Sequence, residues 1–144
     1  MQLQDVFSIY KDDLQQVERC ISDHATSEIK LIPEVSRHLI DSGGKRFRPL
    51  LLMISAGLCG YRGESRFPMA AVMEFIHTAT LLHDDVIDEA TIRRGKTSAN
   101  NIWGNAATVL VGDFLYSKSF ILMTSVENTA ILKLMSRVTN IMSE

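Results

Sequence analysis

Four carboxylates stand within six consecutive positions of this chain. The segment LLHDDVIDEA contains Asp84, Asp85, Asp88 and Glu89. A helix would place Asp84 and Asp88 on one face, where like charges repel by about 0.2–0.5 kcal/mol. The preceding residues, MAAVMEFIHTATLL, are apolar almost all round, which predicts a buried helix. Because unpaired buried charge is costly, the sequence predicts a cation between these groups.

The chemistry of these side chains favours magnesium. Mg²⁺ is commonly held by one or two carboxylates together with water and substrate phosphate oxygens. Calcium is less favoured because the EF-hand spacing is missing, and zinc would prefer His or Cys ligands. His83 points about 100° around the helix from Asp84, which is typical of a residue that packs or supports a ligand. The alternative is that the acidic cluster is only a solvated helix end.

Two basic segments could complete such a site. The first, GGKRFRP, contains Lys45, Arg46 and Arg48 after two glycines that allow close backbone approach. The second, Arg93 and Arg94, follows the acidic cluster. Arginine matches phosphate oxygens and can bind them in a bidentate manner. Either segment alone is typical of exposed loop charge, but together with Mg²⁺ ligands they suggest a site for two diphosphate groups.

The apolar spacing predicts an all-α protein, because no segment shows the two-residue alternation of a strand. Prolines, glycines and Asn residues suggest where the helices begin and end. No internal repeat is found. The predicted helices run from Leu3 to Ile21, from Pro33 to the glycines at 43 and 44, from Pro49 to Leu58, from Pro68 to about Ala90, from a cap at Asn105 to about Thr124, and onward from Asn128, with 60–67 and 91–104 as loops.

Length and charge exclude several classes of protein. At 144 residues the chain can bury a core of its own. The formal net charge of −2 gives no overall basic field for nucleic acid. Cys20 and Cys59 have neither metal-ligand spacing nor a disulfide framework, which fits a reducing compartment. The N-terminus lacks the apolar stretch of a signal peptide and no transmembrane segment is expected, so we expect a cytoplasmic protein.

The final predicted helix carries an apolar face that needs a packing partner. The sequence therefore looks like the front part of a larger helical domain, with residues 1–144 as its N-terminal part. The residues of this face are Ile131, Leu134, Met135, Val138, Ile141 and Met142.

Three segments of the chain resemble the trans-type polyprenyl diphosphate synthases. They are GGKRFRP, EFIHTATLLHDDVIDEATIRRGKTSAN and VGDFLYSKSF. The resemblance covers essentially the whole chain and is strongest to the long-chain bacterial enzymes of the octaprenyl kind. A DDxxD motif alone would be moderate evidence, but GGKRxRP before it and RRG after it make the match specific. The resemblance implies an isoprenoid-synthase-type helical bundle around a central cavity, usually a homodimer.

The resemblance also implies a reaction and a role for each charged group. The enzymes condense isopentenyl diphosphate with an allylic (farnesyl-type) diphosphate, and Mg²⁺ and arginine stabilise the charge on the departing diphosphate. That diphosphate is implied to accept the proton, so no protein base is assigned. A histidine that only packs in the core is the alternative for His77. The implied residues are Asp84 and Asp88 for Mg²⁺ with Asp85 in support, Arg93 for the allylic diphosphate, and Lys45, Arg48, His77 and Arg94 for isopentenyl diphosphate.

Product length has its own sequence signal. Ala79 lies five residues, or about 7.5 Å of helix, before Asp84, and Thr80 follows it. In the family an aromatic residue at this depth closes the pocket for short products, so Ala79 suggests a long chain. The substitution Ala79→Phe is then expected to shorten the product, which mass spectrometry would detect. The alternative is that Ala79 only packs against a neighbouring helix.

The second aspartate-rich motif of the family is missing from these 144 residues. We therefore expect the isolated chain to be inactive and interpret it as the N-terminal part of an enzyme. A non-catalytic or split-enzyme partner subunit that binds diphosphate remains the alternative. Terpene cyclases of the same fold are less favoured, because GGKRFRP supplies an isopentenyl diphosphate site that they do not need.

Overall fold

The computed structural model describes residues 2–40 and 46–143, and most of this part is helical. The prediction of an all-α fold is confirmed. Two short antiparallel strands, β1 (Ile92–Arg93) and β2 (Lys96–Thr97), interrupt the helices. The helices are α1 (Leu3–Ile9), α2 (Lys11–His24), α3 (Leu31–Ile40), α4 (Phe47–Leu58), α5 (Arg66–Ile87), α6 (Ala99–Trp103), α7 (Asn105–Ser125) and α8 (Thr129–Met142).

Helix α5 is the centre of the core. It packs along α7 over most of its length and against α2 and α4 on other sides. The predicted burial of its apolar sequence is confirmed, since Phe75 and Leu82 are fully buried. Burying such a side chain contributes about 1.5–3 kcal/mol, so α5 is fixed firmly enough to position side chains at its end.

Helices α5 and α7 approach closely at Gly112. A Cβ atom there would lie 2.4 Å from His83 Nε2 and 3.3 Å from the carbonyl oxygen of Ala79. The His83 ring therefore occupies the space that a side chain at 112 would need. Its Nε2 also lies 3.3 Å from the Val109 carbonyl and 3.3 Å from Asp113 Oδ1. The interpretation of His83 as a packing or supporting residue agrees with this placement.

The first predicted helix is divided in two, which corrects the single helix from Leu3 to Ile21. Tyr10 ends α1 and precedes α2 with φ −98° and ψ 15°. Backbone hydrogen bonds still cross it, from Tyr10 N–H to Val6 and from Leu14 N–H to Tyr10. The break is therefore a kink, and the apolar spacing that continues across it could not reveal it.

The prediction that residues 91–104 form only a loop, with no strand, is wrong. The segment folds into the β1–β2 hairpin followed by α6. Arg94 and Gly95 both have positive φ, 52° and 78°, as two-residue type I′ turns require. The strands have two residues each, so they are too short for a periodic signal.

The other helix ends lie close to their predicted positions. Helix α7 is preceded by Gly104 with φ 84°, and Asn105 is its first residue rather than its cap. Asn128 caps α8 as expected, because its Oδ1 accepts hydrogen bonds from the N–H groups of Ala130 and Ile131. The glycines at 43 and 44 lie outside the described residues.

Two helices present apolar surface. By length and composition α7 could cross a membrane, but buried core helices pass the same test, and Val111 and Leu115 are buried in the core. On α8, Leu134 and Ile141 are each 60% exposed. The predicted unpartnered face of α8 is therefore present in part, since Met135 on the same face is buried and Ile131 is half-buried. That residues 1–144 are the front of one larger domain stays a prediction.

Candidate active site

A basic cluster surrounds His77 on α5. Arg94 Nη2 lies 3.3 Å from His77 Nε2. A guanidinium can only donate, so Nε2 is the acceptor and the ring proton is on Nδ1. Burial, together with the positive charges of Arg48, Arg94 and Arg93, lowers the pKa of His77 to about 4. At neutral pH His77 is therefore an uncharged imidazole.

The hairpin turn places Arg94 at this cluster. Arg94 is in the left-handed region, with φ 52°, which is uncommon for a residue with a side chain. The hairpin is tied to the end of α5, since Ser98 Oγ and Asn101 Nδ2 both donate to the Ala90 carbonyl, at 2.5 and 2.8 Å. The strain at position 94 is thus held by the surrounding structure.

The three aspartates of DDxxD are not equivalent. Asp84 and Asp88 are exposed at the end of α5, where the Asp88 N–H donates to the Asp84 carbonyl at 2.8 Å. Asp85 is completely buried, and its Oδ1 accepts from Arg93 Nε at 2.7 Å and lies 2.6 Å from Arg93 Nη2. The cation predicted beside the acidic cluster is therefore in part Arg93, which pairs with Asp85.

The exposed aspartates fit a magnesium ion that also contacts a substrate. Within residues 2–40 and 46–143, no three His, Cys, Asp or Glu side chains form a group that could hold a metal by themselves. Asp84 and Asp88 are one helical turn apart on the exposed side of α5. Two carboxylates with open solvent beside them suit Mg²⁺, which completes its shell with water and phosphate oxygens.

The two arginines of the basic segment at the start of α4 differ in burial. Lys45 lies outside the described residues. Arg48 is exposed, as is Arg94. Arg46 is largely buried and forms ion pairs with Glu18 and with Glu74.

Sequence reasoning missed Glu18 and Glu74. Glu74 could have been found, because it is the one charged residue within the apolar stretch MAAVMEFIHTATLL. Glu18 carried no such signal.

The two predicted chain-length residues lie in different surroundings. Ala79 is 1% exposed in the core beside α7, which favours the packing alternative without testing the effect on product length. Thr80 is half-buried, and its Oγ1 donates to the His77 carbonyl at 2.9 Å. Thr80 also lines a small pocket with Tyr116 and Thr139.

A larger apolar groove of about 560 Å³ runs between α4, α5 and α8. Its lining includes Leu52, Met69, Met73 and Leu134. Met73 lies one turn before His77 on α5 and therefore on nearly the same face. The groove thus extends along the N-terminal half of α5, on the N-terminal side of Ala79.

Comparison with known proteins identifies the family. The polyprenyl synthetase profile matches residues 29–144. Over all 144 residues the chain is 42% identical to octaprenyl diphosphate synthase from Escherichia coli, of which it covers 45%. The chain belongs to the polyprenyl synthetase family. It spans less than half the length of this curated relative.

Solved structures of polyprenyl synthases share the fold. The enzyme from Caulobacter crescentus, crystallised with calcium and isoprenyl diphosphate, superposes with a TM-score of 0.95 at 41% identity, over 99% of this chain and 43% of that one. A decaprenyl diphosphate synthase from Rhodobacter capsulatus gives 0.93 at 42% identity, over 97% and 43%. The predicted family and its helical fold are confirmed.

Proposed function

We propose that the protein to which this chain belongs is a prenyltransferase. It condenses isopentenyl diphosphate with an allylic, farnesyl-type diphosphate and builds a long-chain all-trans polyprenyl diphosphate. One observation carries the proposal: His77, which Arg94 of the hairpin contacts, and the exposed pair Asp84 and Asp88 all lie in the C-terminal half of α5 or at its C-cap. The octaprenyl and decaprenyl synthases among the similar proteins support a long product.

The basic cluster binds isopentenyl diphosphate in this proposal. Arg48 and Arg94 are exposed, so their guanidinium groups can bind phosphate oxygens. Lys45 adds a third charge. His77 accepts from Arg94 through Nε2, which leaves Nδ1–H to donate to the ligand. The neutral imidazole therefore orients the diphosphate and adds no charge.

The acidic end of α5 and Arg93 act on the allylic substrate. Asp84 and Asp88 would hold Mg²⁺, which supplies charge stabilisation for the departing diphosphate. Asp85 fixes the Arg93 guanidinium, which stabilises the negative charge on the same oxygens. The departing diphosphate accepts the proton lost from isopentenyl diphosphate, so no side chain is required as a base.

The apolar groove and the exposed face of α8 have roles in the whole protein. We propose that the groove beside Met73 receives the growing chain. Ala79 and Thr80, which lie outside the lining of this groove, are proposed to influence product length. Helices corresponding to the rest of the relatives' length, or a second copy in a homodimer, would cover Leu134 and Ile141. The isolated chain is expected to be inactive, and its location is proposed to be cytoplasmic.

Calorimetry with the 144-residue chain tests the first half of this proposal. Isopentenyl diphosphate should bind more tightly than inorganic phosphate, and Arg48→Gln or Arg94→Gln should each weaken it about tenfold or more. Arg137→Gln, an exposed arginine of α8, is the control and should have no effect. Binding no tighter than that of inorganic phosphate would refute the proposal.

A turnover assay tests the second half. The chain is incubated with farnesyl diphosphate, isopentenyl diphosphate and Mg²⁺, with and without a full-length relative. The expected result is that the isolated chain makes no product. If adding this chain to the relative gives a longer product than the relative makes alone, the split-enzyme alternative is favoured.

A further inference from the structure

Arg46 connects four helices through one side chain. It directly precedes Phe47, the first residue of α4, and has a left-handed backbone with φ 46°. Its Nε and Nη2 face the two carboxylate oxygens of Glu18 on α2, with Nη2 to Oε2 at 3.1 Å. Its Nη1 lies 3.5 Å from Glu74 Oε2 on α5 and donates to the carbonyl of Ile40, the last residue of α3, at 3.4 Å.

These contacts use the three nitrogen atoms of the guanidinium group. The Arg46 side chain is 16% exposed and the Glu74 side chain 8%. Arginine donates along fixed directions, so a guanidinium engaged by two carboxylates is poorly placed to bind an incoming diphosphate. Arg46 therefore differs from the exposed Arg48 two residues later, although the sequence gives both the same charge.

Glu74 is a buried carboxylate that contacts Arg46. Burial raises the pKa of its carboxyl above the usual value, and the positive charges of Arg46, Arg48 and Arg94 offset only part of this effect. Two of these arginines are the proposed diphosphate ligands. Glu74 is also three residues before His77 on α5, hence on a neighbouring part of the same face. A single buried carboxylate is thus close to the charged groups of the proposed site.

We propose that Arg46 and Glu74 are positioning residues for the diphosphate site. Together with Glu18 they form a clamp that fixes the start of α4 against α5, so that Arg48 is held beside His77 before the ligand arrives. Neither Arg46 nor Glu74 touches the diphosphate. This inference rests on the proposed function. It assigns Arg46 a structural role, whereas Arg48 is proposed to bind the diphosphate directly.

Substitution of Glu74 tests the proposal by the direction in which the affinity for isopentenyl diphosphate changes. If Glu74 acted only through its charge, Glu74→Gln would remove repulsion and strengthen the binding of an anion. A positioning role has the opposite effect, because Arg48 loses its fixed geometry when the contact between Arg46 and Glu74 is weakened. We expect about a tenfold weaker affinity of the 144-residue chain for isopentenyl diphosphate by calorimetry. Glu28→Gln, which removes an exposed carboxylate elsewhere, is the control.

A double-mutant cycle tests Arg46. Arg46→Gln alone should weaken isopentenyl diphosphate binding about tenfold, but in an Arg48→Gln background it should add less than about twofold, since it acts through Arg48. A full tenfold further loss in that background would show a direct contact and overturn the inference. Circular dichroism shows whether Arg46→Gln is folded, and if it is not, Glu74→Gln decides.

The outcomes separate this inference from the proposed function. If the wild-type chain does not bind isopentenyl diphosphate, or if Arg48→Gln has no effect, the proposed function fails. If Arg48→Gln weakens binding while Glu74→Gln strengthens it or leaves it unchanged, only the clamp is refuted. Weakening by all three variants, with the non-additive cycle, supports both.

Discussion

Two pairs of carboxylates at α5 differ in what neutralises them. Glu74 and Asp85 are buried, and each lies against an arginine of the chain. Asp84 and Asp88 are exposed, and no ion pair joins them to a described residue. Arg46 and Arg93, which lie outside α5, thus pair with the carboxylates that the helix buries, while the other two face solvent. This difference separates groups that build the site from groups that await a metal and a substrate.

The largest effect is expected from breaking the buried pair. Asp85→Ala leaves the Arg93 guanidinium without its partner, and removing one member of a buried pair costs about 3 kcal/mol in unfolding free energy. Asp84→Ala, the adjacent residue, should change stability by less than about 0.5 kcal/mol, because it also relieves repulsion at the negative end of the helix dipole. Urea denaturation measures both, and equal losses would show that burial does not distinguish them.

The exposed pair should instead affect ligand binding. Asp84→Asn combined with Asp88→Asn should weaken Mg²⁺-dependent binding of farnesyl diphosphate about a hundredfold, equivalent to about 2.7 kcal/mol, with stability unchanged. The binding is measured by calorimetry with and without Mg²⁺. Glu89→Gln, at the same end of the helix, is the control. If the double variant resembles the control, the two aspartates are only a solvated helix end.

The distinction between the two pairs of carboxylates could be predicted only in part from the sequence. Helical spacing placed Asp84 and Asp88 on one face and Asp85 on another, which required only the helix period. It could not say which face is inward, because the preceding residues of α5 are apolar almost all round and the inward direction is set by α7, α2 and α4. A cation was predicted for the acidic cluster, and Arg93 supplies one at Asp85, although that pairing was not predicted. A cation at Asp84 and Asp88 stays a prediction.

The basic side was harder to predict for a different reason. Lys45, Arg46 and Arg48 have similar charge and are adjacent in sequence. What separates Arg46 from Arg48 is a contact with Glu18, a residue 28 positions away. Such long-range pairing leaves no local pattern. The hairpin that aims Arg94 at His77 was missed because its strands are too short to alternate.

The segment of α5 between the two buried carboxylates offers a third test. Ala79 is in close contact with α7 near Gly112, so Ala79→Phe should lower the unfolding free energy by about 2 kcal/mol through overpacking. Thr80→Val, which keeps the size of the side chain and faces the small pocket, should cost less than about 1.5 kcal/mol. An unchanged stability for Ala79→Phe would mean that space exists there and would favour the open product pocket.

The smallest effect concerns His77, which lies on α5 between Glu74 and Asp84. Its pKa is lowered from 6.5 to about 4 by burial and by three arginines, so the unfolded chain binds the proton more readily than the folded protein. Stability from this group is therefore complete above pH 6.5 and is lost as the pH falls toward 4. His77→Gln should reduce this acid sensitivity in denaturation curves measured across that range.

Ligand binding should reverse the shift. A diphosphate beside His77 adds negative charge that offsets Arg48, Arg94 and Arg93, so isopentenyl diphosphate should raise the pKa of His77 above about 4. Nuclear magnetic resonance of the ring protons, assigned with the His77→Gln variant, measures the pKa with and without the ligand. An unchanged pKa in the presence of bound ligand would mean that the diphosphate lies elsewhere and that His77 only packs in the core.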